Sequence, residues 1–225
     1  MSLIQITNLT KIYSDKNSGI QTKALDSINL AIEKGEFTAI AGPSGSGKTT
    51  LLNLIGALDQ VTKGQIIIEG HHISSMDNQA LAEFRLKKVG FVFQAYNLIA
   101  TLTALENAEY VMLLQGIEKK QRRLTAENIL KDVGLAELMH KRSNQLSGGQ
   151  QQRVAIARAI ATEPLIILAD EPTANLDSDT GANLINLMQE LNEKKQITFI
   201  FSTHDQMVMA KAKRLIHLKD GRITI

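Results

Sequence analysis

The sequence predicts an α/β fold: a core on a mostly parallel sheet, an antiparallel β subdomain beside it, and a helical subdomain inserted into it. Two observations carry this. Short apolar runs alternate with amphipathic stretches over Leu165–Ala169, Thr180–Lys194, Thr198–Ser202 and Gln206–Lys211, the alternation expected of a doubly wound sheet. A glycine-rich turn, Gly42 to Thr49, also lies between an apolar run, Phe37–Ala41, and a helical stretch, Thr50–Ile55. Strand, loop and helix in that order form a phosphate cradle.

Each element follows from its residues. Leu3–Leu9 and Leu25–Ile32 are β-like, and the polar segment Ser14–Gly19 between them predicts a hairpin-like connection. Lys34-Gly35-Glu36 turns the chain into the strand that feeds the cradle. Lys63-Gly64, Gln65–Glu69 and Gly70 give turn, strand and turn, so the early strands form an antiparallel sheet beside the main one. Gly90–Phe93 is another strand-like run. Thr103-Ala104-Leu105-Glu106 is a capping box that opens a helix through Leu114, stopped at Gly116. A second helix is expected over Lys119–Val133, with Leu124, Ile129, Leu130 and Val133 facing inward and Gly134 ending it. A third is expected over Gln151–Ala161.

A chain of 225 residues suffices for one sizeable core with an attached subdomain. Its 25 basic and 23 acidic residues leave a net charge of +2, which gives no reason to expect a nucleic-acid partner. It has no cysteine, so disulfides and thiolate metal sites are excluded. No apolar run approaches the roughly 18 to 20 residues that cross a bilayer. The stretch Met1–Thr7 lacks the basic and apolar regions of a signal peptide, and a cytoplasmic location is expected.

The chemistry starts at Gly42, Pro43, Ser44, Gly45, Ser46, Gly47, Lys48 and Thr49, which fit G-x-x-x-x-G-K-[ST]. The glycines let successive N–H groups approach phosphate oxygens, Lys48 adds a point charge, and Thr49 offers its hydroxyl to Mg²⁺. Thr50 begins the helix whose N-terminus faces the anion. Asp170 and Glu171 stand at the end of an apolar strand, where ligands bind in open α/β sheets. Asp170 can hold Mg²⁺ opposite Thr49, while Glu171, pointing differently along an extended backbone, is free to polarise a water. Gln94 can coordinate Mg²⁺ or water and report nucleotide state to the insertion. His204, at another strand end, either donates to a γ-phosphate oxygen or is structural, and position alone does not choose. Tyr13 either stacks on adenine or sits half-buried in a sheet. Ser147, Gly148, Gly149 and Gln150 precede a helix and form either a second anion cradle or a glycine-capped loop. With two cradles in one chain, two copies packed head to tail would let each nucleotide meet one cradle from either chain.

This set resembles that of ATP-binding cassette (ABC) subunits, and the resemblance spans essentially the whole chain. It rests on Gly42–Thr49, Gln94, the signature Leu146–Gln150, Leu168-Ala169-Asp170-Glu171, Asn175-Leu176-Asp177 and His204. The resemblance implies a P-loop NTPase core and a single ABC ATPase domain over 1–225, with a helical signalling subdomain over about 95–160. It makes Tyr13 the adenine-stacking aromatic, Glu171 the catalytic base, His204 the γ-phosphate switch, and Ser147, Gly148 and Gly149 contacts made in trans; Gln150 and Asp177 belong to the same nucleotide-binding motifs. It implies ATP and Mg²⁺ as ligands, a head-to-tail homodimer with two ATP molecules at its interface, and integral membrane permease subunits as partners on the cytoplasmic face.

Within the family, Gly90–Gln94, Leu102–Asn107 and Asp170–Asp177 are most similar to the lipoprotein-releasing and macrolide-exporting branch, from whose frequent glycine Ala174 departs. Polar amino-acid importers share much of this pattern. A regulatory module that drives a membrane protein without moving solute is the rival in function. A nucleic-acid or ribosome ATPase of the same superfamily is disfavoured by the near-neutral charge and the absence of zinc cysteines.

Overall fold

A computed structural model describes residues 2–15 and 19–224. The first strands, β1 (Ser2–Ser14) and β2 (Gln21–Glu33), are longer than the apolar runs alone indicate and pair antiparallel. The polar connection predicted between them includes Lys16, Asn17 and Ser18, which lie outside the described residues. Next come β3 (Phe37–Ala41), α1 (Lys48–Ile55), β4 (Lys63–Ile68), β5 (His71–His72) and α2 (Asn78–Lys88). The order continues with β6 (Val89–Val92), α3 (Ala104–Leu114), α4 (Lys119–Asp132), α5 (Gly148–Ile160), β7 (Ile166–Asp170), α6 (Ser178–Lys195), β8 (Thr198–Thr203), α7 (Gln206–Lys211), β9 (Arg214–Lys219) and β10 (Arg222–Thr224).

Two sheets result. The antiparallel one has the order β2-β1-β4-β5; the core sheet has the order β10-β9-β3-β8-β7-β6, parallel except for its β9–β10 edge. The central strand β3 is buried throughout because both its faces are covered, which is why every residue in it but Thr38 is apolar. Alternate side chains serve opposite faces. Phe37, Ala39, Ile167, Ala169, Phe199 and Phe201 join the core formed with α3, α5 and α6, whereas Ile40, Ile166, Leu168 and Ile200 meet α1, α2 and the antiparallel sheet. Phe37 and Phe201 lie 4.6 Å apart between ring centres at a tilted angle.

The helical subdomain is α3 and α4 packed with each other and with α5. Thr103 and Glu106 form the expected reciprocal cap on α3. Helix α4 departs from expectation at Leu124, which is 60% exposed, while Ala126, Ile129, Leu130 and Val133 are buried. Leu124 lies two residues before Ala126, about 200° around the helix, and so falls on the far face. Helix α5 begins at Gly148 rather than Gln151, so both signature glycines lie in its first turn.

Candidate functional site

The glycine-rich turn is enclosed from two sides. A Cβ on Gly42 would come within 2.0 Å of the Leu218 carbonyl oxygen, and one on Gly47, at φ +104°, within 2.6 Å of the Ala24 carbonyl oxygen. Gly45 has φ +78°, and a Cβ there would meet nothing within 4 Å, so the loop opens on that side. Gly47 caps α1 with no side-chain bond, and the first turn of α1 carries no acidic residue. Its N-terminal N–H groups and positive dipole end therefore suit an anion. Lys48 is buried, and its Nζ donates to the carbonyls of Gly42 at 2.8 Å and Pro43 at 3.1 Å. The Ser46 hydroxyl oxygen is buried without a hydrogen-bond partner among the described residues.

The end of β7 meets the start of α1. Thr49 Oγ1 lies 3.2 Å and 3.3 Å from the two carboxylate oxygens of Asp170. A hydroxyl beside one carboxylate suits Mg²⁺, which takes few protein oxygens and completes its shell with phosphates and water. Among the described residues no three His, Asp or Glu side chains gather as a metal cluster. Ser202, fully buried on β8, donates its hydroxyl to Asp170.

Glu171 differs from expectation. Its backbone is left-handed at φ 46°, not extended; its N–H still donates to the Ser202 carbonyl at 3.0 Å, and its own carbonyl accepts from the Ala174 N–H at 3.2 Å, closing a turn. The chain thus turns sharply at Glu171 instead of prolonging the strand. Its carboxylate lies 2.8 Å from Nδ1 of His204, so two residues considered separately in the sequence form one hydrogen-bonded pair.

Gln94 follows β6 on an exposed loop, and its carbonyl accepts from Asn175 Nδ2 at 2.9 Å. Two side chains of α5 hold the same loop. Fully buried Gln152 donates to the carbonyls of Pro172 at 2.9 Å and Phe93 at 3.4 Å, and Arg158 donates to those of Asn97 and Tyr96 at 2.6 Å and 3.0 Å. Burial pushes the pKa of Arg158 down. Sequence reasoning missed Ser202, Gln152 and Arg158. The available signal for Gln152 was an amide on the buried phase of an otherwise apolar helical face.

Ser147 caps α5. Its hydroxyl accepts from the Gln150 N–H at 3.3 Å, and Gln150 Oε1 accepts from the Ser147 N–H at 2.9 Å. A Cβ on Gly149 would fall 2.4 Å from Thr180 Cγ2, so this glycine lets α5 approach α6. Asp177 caps α6 by accepting from the Thr180 N–H at 2.9 Å, and this bond holds its carboxyl below the usual range. Helix α5 packs on α3, α4, α6 and β6, whereas the glycine-rich turn is walled by Ala24, Leu25 and Leu218. The two cradles are built into different parts of the fold. Tyr13 stands beside α1, with its hydroxyl donating to Asp59 at 2.7 Å.

Comparison with known proteins gives a consistent result. The profile of the ABC transporter family matches residues 25–174. The lipoprotein-releasing system ATP-binding protein LolD of Anaeromyxobacter dehalogenans is 45% identical over 96% of this chain and 91% of its own length. The macrolide export ATP-binding/permease protein MacB of Hyphomonas neptunium is 46% identical over 98% of this chain, which spans 34% of that longer protein. Among solved structures, a dimeric post-hydrolysis state of the ATP-binding cassette MJ0796 bound to ADP and Pi superposes with a TM-score of 0.89 at 44% identity, covering 99% of this chain and 97% of that one.

Proposed function

Because the chain belongs to the ABC transporter family and is an ATPase of the cassette type, we propose that two copies close head to tail around ATP and so drive separate membrane subunits. Similarity to lipoprotein-releasing and macrolide-export proteins supports an export or lipoprotein-release role. The observation that carries the proposal is the separation of the two cradles. A phosphate gripped at Gly42–Thr49 of one copy is completed by the Ser147 turn of the other, so ATP is held on both sides only in the closed pair. Converting a largely open population to a largely closed one takes about 5.5 kcal/mol of differential binding, and triphosphate contacts made only on closure supply it.

In this mechanism Lys48 and the loop N–H groups orient the triphosphate, and Tyr13 receives the base. Thr49 and Asp170 would hold Mg²⁺, which neutralises charge on the β- and γ-oxygens. Glu171 takes a proton from the attacking water as general base, with its carboxylate oriented by His204. Release of the γ-phosphate removes the bridge between copies and reopens the pair. The membrane subunits dock, on this proposal, in a cavity of about 410 Å³ between α2, β6, α3 and α5, lined by Leu86, Phe91, Ile99, Tyr110 and Leu114. The Gln94 loop contributes Phe93 and Asn97 to the same wall, so nucleotide state reaches the docking face directly. Among the described residues no helix is long and apolar enough to cross a membrane. The proposed position is the cytoplasmic face of the membrane that holds the partner.

The test is Glu171→Gln. Turnover should fall by about 10²- to 10⁴-fold, the usual contribution of a positioned base, while ATP converts the protein from monomer to dimer in light scattering. Rapid turnover would remove Glu171 as base. A variant that binds ATP yet stays monomeric at high concentration would refute closure.

A further inference from the structure

We propose that Lys11 and Asp59 are positioning residues that fix Tyr13 as a one-sided platform for the purine base of the nucleotide. The inference rests on the assignment of Tyr13 to base stacking, and its test separates the two. Three contacts define the device. The Tyr13 hydroxyl donates to Asp59 Oδ2 at 2.7 Å. Lys11 Nζ donates to Asp59 Oδ1 and to the Gln60 carbonyl, both at 2.7 Å. The same ammonium stands 4.7 Å from the centre of the Tyr13 ring.

Each contact removes one freedom of the ring. The hydroxyl bond to a carboxylate is charge-assisted and fixes the ring within its own plane. The ammonium occupies one face and fixes its tilt through the ring quadrupole. Lys11 is only 8% exposed and Tyr13 is 42% exposed, so the cation is the buried side of the sandwich and the opposite face is left for a base. Burial works against the Asp59 carboxylate, but Lys11 and Tyr13 outweigh it and keep the group below its usual pKa. Asp59 is therefore a carboxylate at neutral pH.

Position ties the ring to the phosphate cradle. Thr50, in the first turn of α1, stands near the Tyr13 side chain, and it directly follows Lys48 and Thr49. Asp59 and Gln60 follow the end of the same helix. The aromatic side chain is thus held by the Lys11–Asp59 pair beyond the end of α1 and stands near the helix start that follows the phosphate loop. A ring already held in place loses little conformational freedom when a base stacks on it.

The test compares ATP with inorganic tripolyphosphate, which has the phosphates and no base, by calorimetric titration in the presence of Mg²⁺. Tyr13→Ala should weaken ATP about tenfold or more, the scale of a lost base stack, and leave tripolyphosphate unchanged. Lys11→Met, which keeps the aliphatic stem, and Asp59→Ala should each weaken ATP about three- to tenfold with tripolyphosphate unchanged. Lys11→Met should add nothing once Tyr13 is alanine. Circular dichroism and the melting temperature report an intact fold in each variant, and Asp59→Asn replaces Asp59→Ala should the latter not fold. If Tyr13→Ala acts as stated but the Lys11 and Asp59 variants bind ATP normally, positioning is refuted and stacking survives. If Tyr13→Ala spares ATP, stacking itself falls. Equal loss of both ligands in Lys11→Met would assign Lys11 to the phosphate loop and overturn the proposal.

Discussion

Substitution of Gly149 by alanine tests whether the start of α5 is set by its contact with α6. The new methyl would fall 2.4 Å from Thr180 Cγ2, well inside van der Waals contact, so something must move. Thr180 cannot simply turn away, because its N–H is tied to Asp177 and its β-branched side chain has few rotamers. Overpacking of this kind costs about 1 to 3 kcal/mol, and replacing glycine in a helix returns up to about 1 kcal/mol. The net loss is between about 0 and 2 kcal/mol, nearer the upper end because the opposing methyl is anchored. Urea denaturation measures it directly. Thr180→Ser removes Cγ2 while keeping the hydroxyl, so the double variant should recover the lost stability and keep the helical gain. ATPase activity should follow the same order, since the displaced turn carries Ser147. A Gly149→Ala protein as stable as the parent, or a double variant no better than the single one, would show that this contact does not set the helix spacing.

Two further outcomes follow. Ser202→Ala removes the buried hydroxyl that holds Asp170, and the Mg²⁺ concentration for half-maximal ATP binding should rise about three- to tenfold, the scale of one hydrogen bond; an unchanged or lower requirement would exclude a positioning role. Glu106 accepts the Thr103 N–H and hydroxyl, each at 2.8 Å, and these bonds hold its carboxyl below the usual glutamate range. A group depressed in the fold stabilises above its unfolded pKa and loses that contribution as pH falls through the lower folded value. The melting-temperature advantage of the parent over Glu106→Gln should therefore be full at neutral pH and shrink below about pH 4, whereas a gap independent of pH would contradict it.

The parts of the fold that were legible from sequence have strong local causes. Phe37–Ala41 is apolar at every position but Thr38 because both its faces are covered, and α3 announces itself through Thr103 and Glu106. Helix α2 carried a weaker signal: only Leu81 and Phe84 are buried in it, and its clearest mark is Asp77, whose side chain accepts from the Ala80 N–H. In the site, Gly42–Thr49 could be found because the turn needs glycine at particular backbone angles. The sharp turn at Glu171 was hidden, since a residue other than glycine takes the left-handed angle there and no glycine marks it. Gln152 and Ser202 act through partners far away in the chain, and their own neighbours in sequence say nothing of Pro172 or Asp170.

The wall around the glycine-rich turn bears on how the protein is born. Leu218 on β9 stands against Gly42, the Gly221 N–H donates to the Ser46 carbonyl at 3.0 Å, and Arg222 pairs with Asp26 at 2.6 Å. A polypeptide leaving the ribosome exposes its nucleotide motif long before these enclosing strands have been synthesised. The wall of the nucleotide turn is therefore completed late in translation, and, if the proposed closure holds, a prematurely terminated product lacking β9 and β10 should fail to pair with an intact sister molecule.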